Sequence, residues 1–467
     1  MNKVNFGVFN LSDEEGENES EKILMKLCRK SFLSLWSFAN THTDEDMHST
    51  KNSAKEFCDV IVIFEKDIII FSDKHIGFHE DKDIKTIWKR WHKKAVIKSK
   101  KQLIGAKKWI KKFPNRIYID ATCLKKLPIE IPSEPRIHLV AVTRGTREAS
   151  LRHYEDSWGS HILYANIDNK YIIENLMFAV DQTYLEGNFC HVFDETSLEL
   201  IMHEFNTIND FINYLIAREE FFKKTKTSFI LNGEEVLIAS YFNIDSSKNN
   251  NSLLSIPETS SIVIYDNENL YLKMTSSSSY NKYHEKVKQS YIIDDLIERF
   301  IRLGDPNLVI SKKKQTNQDL VLAMNLLASE PRVNRITIAD ELRKSTEQAK
   351  RRTKLKFMRC FMHKEQSDRC YCFVFIARDK GSSDHEYREK RIGMLHLYAV
   401  SIGIRYPQLK NIITLGFDHP NDHAMFPTED LLVFLNDTGE WDSEEKRKIA
   451  ELESNLGIKL RTIEQSI

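Results

Sequence analysis

The chain has 467 residues, 68 basic and 68 acidic, with a formal net charge of zero. That length exceeds one ordinary core, so two or three domains are expected. The charge balance excludes nucleic-acid affinity from global charge and leaves only local clustering to supply it. No basic-then-apolar leader stands at the N-terminus and no apolar run approaches spanning length, which predicts a cytoplasmic protein with no membrane partner.

The first feature in chain order is an acidic run, Asp13-Glu-Glu-Gly-Glu17 with Glu19 and Glu21, expected to be a solvated arm. A helix is predicted from Ser20 to about Asn40. Next comes Asp59-Val-Ile-Val-Ile-Phe-Glu-Lys-Asp-Ile-Ile-Ile-Phe-Ser-Asp73-Lys74, two apolar strands around a polar turn at Glu65, Lys66 and Asp67. Alternation puts Ile68, Ile70, Ser72 and Lys74 on one face and Ile69, Phe71 and Asp73 on the other, unless a bulge re-aims one. A divalent cation such as Mg²⁺ or Mn²⁺ takes hard oxygen ligands, which Asp59 and Asp73 supply if the strand ends converge. Lys74 would then stabilise a charged phosphoryl transition state or orient a water.

Lysines crowd the next stretch, among them Lys93, Lys94, Lys98, Lys100 and Lys101. Ile84, Ile87, Trp88, Trp91, Ala95, Val96, Leu103, Ala106 and Ile110 recur there at helical spacing. This predicts an amphipathic helix whose basic face attracts a phosphate backbone. Pro114 stops it, and Arg116-Ile-Tyr-Ile-Asp120 reads as a buried strand. Each feature has an ordinary counterpart: a hairpin ending in Asp and Lys is commonly a surface turn, and a lysine-rich helix a solvated face. What favours a site is their conjunction.

In the order helix, hairpin, helix, strand, residues 15 to 130 resemble the restriction-endonuclease-like superfamily of nucleases, named for its PD-(D/E)XK motif, in its RecB-like and Mrr-like branches. The resemblance implies that Asp59 is the first acid and Lys74 the lysine. It also implies that Gln102 is the glutamine of the following helix, and it offers Glu21 as an acid on the first helix. Catalytic roles then fall to Asp59, Asp73, Lys74 and Gln102, metal binding to Asp59 and Asp73, and nucleic-acid contact to Lys93, Lys94, Lys98 and Lys101. The sequence departs from the pattern at Ser72, where the second acid belongs, and no proline precedes Asp59 in Glu56-Phe-Cys-Asp59. Asp73 replaces the missing acid through a bulge, or Asp59 works with backbone carbonyls, or the metal site is broken. The implied function is hydrolysis of phosphodiester bonds with Mg²⁺ or Mn²⁺, on DNA in preference to RNA, in prokaryotic defence or repair. The alternative is a catalytically inactive nucleic-acid-binding or protein-interaction subunit.

Three prolines in Leu127–Pro135 suggest a boundary. Strands follow at Arg136–Thr143 and His161–Ile167, with an amphipathic helix from Glu195 to about Lys224 and polar loops near 245–252 and 276–279. A hairpin is expected over Ser260–Met274, turning at Asp266-Asn267, then helices over 291–302 and 319–328. The last part reads as α/β: a strand Cys370–Ala377, a Ser383-capped helix to about Ile404, strands at Asn411–Phe417 and Asp430–Leu435, and a closing helix over 442–455. The predicted domains are therefore 1–130 with the nuclease-like mixed sheet flanked by helices, 136–330 of α+β type and 335–467 of α/β type. The C-terminal domains are the expected route to a protein partner or homo-oligomer. The Asp418–His423 cluster and Tyr387–Arg391 read as a polar loop and surface charge pairs. Cys28, Cys58, Cys123, Cys190, Cys360, Cys370 and Cys372 fit neither a disulfide framework nor a zinc site and read as reduced, mostly buried thiols. Neither a Walker-type phosphate loop nor a nucleophile elbow occurs.

Overall fold

The structure is a computed structural model that describes residues 11, 15–47, 53–79, 83–154, 158–242, 253–254, 256–265, 268–303, 309–311, 317–352, 356–363, 368–422, 428–436, 440–458 and 464–466. It is mixed α/β with three mixed sheets, divided between two compact units, Phe9–Glu285 and one formed mainly by Lys286–Ile467.

In the N-terminal unit, helix α1 (Glu19–Phe32) begins at Asn18, whose side chain accepts the Glu21 N–H, and ends at Leu33 with φ 66°. That left-handed residue cuts short the helix expected to residue 40, and Ser37–Thr43 forms strand β1 instead. The predicted hairpin is present as β2 (Lys55–Phe64) and β3 (Asp67–His75), pairing from Val60↔Phe71 to Phe64↔Asp67. The basic segment is not one helix: α2 (Ile84–His92) runs through a π-helical turn at Lys93–Ile97 into α3 (Lys98–Lys112). Residues 116–120 do not form the expected strand, since Tyr118 makes only isolated bridges to His42 and Lys126. The sheet continues instead with β4 (Arg136–Arg144), parallel to β3 from Asp67↔Arg136 to His75↔Arg144. This pairing places the anticipated boundary at residues 130–136 inside one unit.

Elements α4 (Arg147–His153), β5 (Ile162–Ala165), α5 (Asn169–Asn175), β6 (Ala179–Asp181) and β7 (Cys190–Asp194) follow. The first sheet has the order β1-β2-β3-β4-β7, with β7 parallel to β4. Ile61, Ile63, Ile68, Ile70 and Ala141 pack with Leu103, Ile104, Ala106 and Ile110 of α3. The helix expected over 195–224 breaks into α6 (Glu195–Glu204) and α7 (Ile208–Lys224), because the Thr207 side chain caps the second by accepting the Asp210 N–H. Phe211 of α7 contacts Phe32 and Phe71 on the sheet face opposite α3, at 4.9 and 6.3 Å between ring centroids. Then come β8 (Phe229–Leu231), α8 (Glu234–Phe242), β9 (Val263–Tyr265), α9 (Glu268–Thr275) and α10 (Ser278–Leu303). The second sheet is β6-β5-β8-β9. Because β9 pairs in parallel with β8 and is followed by a helix, the hairpin anticipated at 260–274 does not form. Its turn at Asp266-Asn267 and the polar loop at 245–252 lie outside the described residues.

The C-terminal unit contains β10 (Val309–Ser311), α11 (Asn317–Ala328), α12 (Arg332–Lys350), β11 (Lys356–His363), β12 (Arg369–Ile376), α13 (Asp384–Arg405), β13 (Asn411–Asp418), β14 (Glu429–Leu435), α14 (Ser443–Asn455) and β15 (Glu464–Ser466). Its sheet order is β10-β14-β13-β12-β11-β15. The capping serine is as read: Ser383 and Glu386 form a reciprocal box at the start of α13. The surface reading of Tyr387–Arg391 is corrected by Arg391, which is fully buried and ion-paired to Asp418 at 2.7 Å and Asp430 at 2.6 Å. His423 of the polar loop lies outside the described residues. All seven cysteines are free, six of them buried. Among the described residues no helix is long and apolar enough to cross a membrane.

Candidate functional site

The hairpin ladder stops at Val60↔Phe71, and the next donor on β3, the Asp73 N–H, is taken by Asp59 Oδ2 at 2.5 Å. Carried one step further, the register sets Asp59 opposite Ser72, and alternation sets Lys74 beside them on the face covered by α3. Asp59 is 1% exposed and Ser72 is fully buried, with no hydrogen-bond partner for its Oγ. Strand β3 stays in register with β4 through His75, so no bulge turns Asp73 toward Asp59. The Asp73 carboxylate points to the opposite face, where Arg144 Nε donates to both its oxygens at 3.1 and 3.0 Å. The expectation that Asp73 joins Asp59 as a metal ligand is thereby corrected: its side chain is the buried half of an ion pair. Burial outweighs Arg144 and lifts its pKa above the ordinary value.

A different acid meets Asp59. The β1–β2 register passes from Thr41↔Cys58 to His42↔Glu56, leaving Phe57 as an extra residue. This bulge cancels one step of alternation and turns Glu56 onto the side of Asp59, re-aiming a side chain as bulges do. Burial, first, and then a hydrogen bond with the Glu56 carboxyl push the Asp59 pKa up to about 8, while the Lys74 ammonium and the Asp73 N–H pull it down. Glu56 is exposed and Lys74 half-buried, so the cluster opens to solvent. Two converging carboxyls, with an ammonium near enough to act on Asp59, are the kind of hard-oxygen donors a divalent cation takes. Glu56 stood in the string preceding Asp59, but nothing in its residue type announced the bulge.

The remaining anticipated residues are distributed as follows. Gln102 is half-buried on α3, and among the described residues no hydrogen bond or ion pair joins it to Asp59 or Lys74. Glu21 turns back on its own helix cap, accepting the Glu17 N–H at 2.8 Å, and its charge raises the pKa of Asp73, not that of Asp59. Lys93, Lys94, Lys98 and Lys101 are exposed, as a phosphate-binding face requires. Lys100 is not part of that face: it is 2% exposed and donates to the Asp181 carbonyl at 2.9 Å. His75 and His79 are exposed. His92 is buried, and burial together with nearby Lys100 pushes its pKa down to about 4.

The C-terminal unit holds a cavity of about 660 Å³ lined by Phe375, Phe417, Leu342, Arg343 and Asp418. In its wall Asp418 is ion-paired to Arg391 and accepts the Tyr387 hydroxyl at 2.6 Å. No protein-family model, curated protein or solved structure matches the chain.

Proposed function

We propose that the N-terminal unit is a metal-dependent nuclease, in which Asp59 and Glu56 hold Mg²⁺ or Mn²⁺ and Lys74 serves the reacting phosphate. The observation that carries this reading is the buried Asp59 carboxyl, hydrogen-bonded to Glu56 and within the field of the Lys74 ammonium, at the open end of a hairpin. The succession of helix α1, hairpin β2–β3, helices α2–α3 and a following strand supports it, with β1 added and β4 standing in place of the strand expected at 116–120. So do the exposed lysines around the π-turn, at the site-covering helix.

The donor set fits a hard cation, since two carboxyls crowded together gain from one between them. A bound Mg²⁺ or Mn²⁺ supplies charge for the phosphoryl oxygens and acidifies a water. The Asp73 N–H fixes Asp59 in place. Lys74 stabilises negative charge developing on the phosphate, an electrostatic contribution worth roughly 10²–10³ in rate at comparable sites. Lys93, Lys94, Lys98 and Lys101 hold the backbone of the nucleic acid.

Labelled single- and double-stranded DNA and RNA, incubated with Mg²⁺, Mn²⁺ or EDTA, test the reading. Metal-dependent cleavage lost at least ~100-fold in Asp59→Ala and Lys74→Ala is expected. Cleavage unaltered in both variants would overturn it. A second reading, a binding module without cleavage, is favoured by Ser72 standing where the family pattern has an acid. It predicts salt-sensitive binding and no products with any metal.

A further inference from the structure

A second donor cluster lies outside the Asp59 site. Helix α6 ends with His203 and Glu204, and α10 brings His284 to them. One ring nitrogen of each histidine and one carboxylate oxygen of Glu204 lie within 4.8 Å of one another. Glu204 is 3% exposed, and its Oε1 accepts the hydroxyls of Tyr271 at 3.0 Å and Tyr280 at 2.5 Å. Its Oε2 is buried without a hydrogen-bond partner. His284 Nε2 pairs with that oxygen at 3.3 Å, a contact too bent for a well-aligned hydrogen bond. The His203 and His284 rings stack almost parallel, 5.0 Å between centroids. His203 is exposed, so solvent reaches the cluster.

A buried carboxylate oxygen and a buried imidazole nitrogen that face each other without a well-aligned hydrogen bond are incompletely satisfied. A cation answers both. Zn²⁺ takes imidazole nitrogen and carboxylate oxygen at about 2.0–2.2 Å, and two histidines with one glutamate leave its fourth position open. The two tyrosine hydroxyls on Oε1 are what such a ligand needs behind it, since outer hydrogen bonds orient a ligating carboxylate. Imidazole donors also select against Mg²⁺, which separates this cluster chemically from Asp59 and Glu56. We propose that His203, Glu204 and His284 bind one divalent transition-metal ion of the zinc class, with a coordination position open to solvent. A simple Glu204–His284 ion pair would bind no metal.

The test uses the untagged full chain carrying Asp59→Ala, stripped with EDTA and titrated calorimetrically with Zn²⁺, then with Co²⁺ for its visible absorption. One equivalent of each is expected, with a four- or five-coordinate cobalt spectrum that Zn²⁺ abolishes. His203→Ala changes an exposed residue and should keep the native circular dichroism while weakening zinc at least ~100-fold, against about 10-fold for Tyr280→Phe. Absence of stoichiometric Zn²⁺ in the parent chain would overturn the proposal. So would equal affinity in natively folded His203→Ala.

Discussion

Replacing Arg144 with methionine should cost the N-terminal unit about 3–5 kcal/mol of stability, because it strands a buried carboxylate. The Asp73 side chain is 0% exposed and that of Arg144 7%, with contacts of 3.0–3.1 Å between them. At an effective dielectric of about 20, opposite charges about 4 Å apart attract by roughly 4 kcal/mol, which falls in that range. Removing both charges with apolar residues of similar size should recover most of the loss, since buried pairs are often replaceable as a unit. Urea unfolding followed by tryptophan fluorescence is a suitable assay. Trp36, Trp88, Trp91, Trp109 and Trp158 lie in this unit and only Trp441 in the other. A loss below about 1 kcal/mol for Arg144→Met, or a double variant as unstable as the single one, would refute the reasoning. Asp73 would then be free for other work.

Glu235 is buried and its pKa is pushed up to about 8 by that burial, with Ser160 Oγ donating to its carboxyl at 2.8 Å. A raised folded pKa stabilises at low pH, so its contribution should be lost as pH climbs from about 4.5 through about 8, by at most about 1.4 kcal/mol per unit. Glu235→Gln should flatten that dependence in pH-dependent urea melts. His92, held near 4, acts with the opposite sense on the acid side: stability falls as pH drops from about 6.5 toward 4, and His92→Gln should remove the fall. Neutralising Lys93, Lys94, Lys98 and Lys101 together should lower the salt slope of DNA binding by up to about 3.6 units in fluorescence anisotropy; an unchanged slope places the DNA elsewhere. Native protein should show one readily titrated thiol, that of half-buried Cys123, and seven after denaturation.

The hairpin, the capped helix α13 and the free cysteines were legible in the chain because each rests on local rules of alternation, capping or composition. Strand β1 was not, since the polar run Ser37-Phe-Ala-Asn-Thr-His-Thr43 carries no strong strand signal and is made a strand by pairing with β2. Strand β4 was expected over 136–143, but its membership in the first sheet was not, being a long-range parallel pairing across Pro-rich Leu127–Pro135. At the proposed site, Asp59 and Lys74 could be named as candidates from their places on the strands. Glu56 could not, because its orientation depends on one extra residue in a neighbouring ladder. Asp73 was misassigned because Arg144, which claims it, lies far along the chain. The clustered His203 and Glu204 of α6 and His284 of α10 are separated by some 80 residues, and no local pattern joins them.

Anomalous diffraction from crystals soaked in Mn²⁺ tests the central claim most directly. A peak is expected about 2.1 Å from carboxylate oxygens of both Asp59 and Glu56, with Asp73 still bound to Arg144. A peak ligated by Asp73, or none at the Asp59 cluster under saturating Mn²⁺, would contradict it.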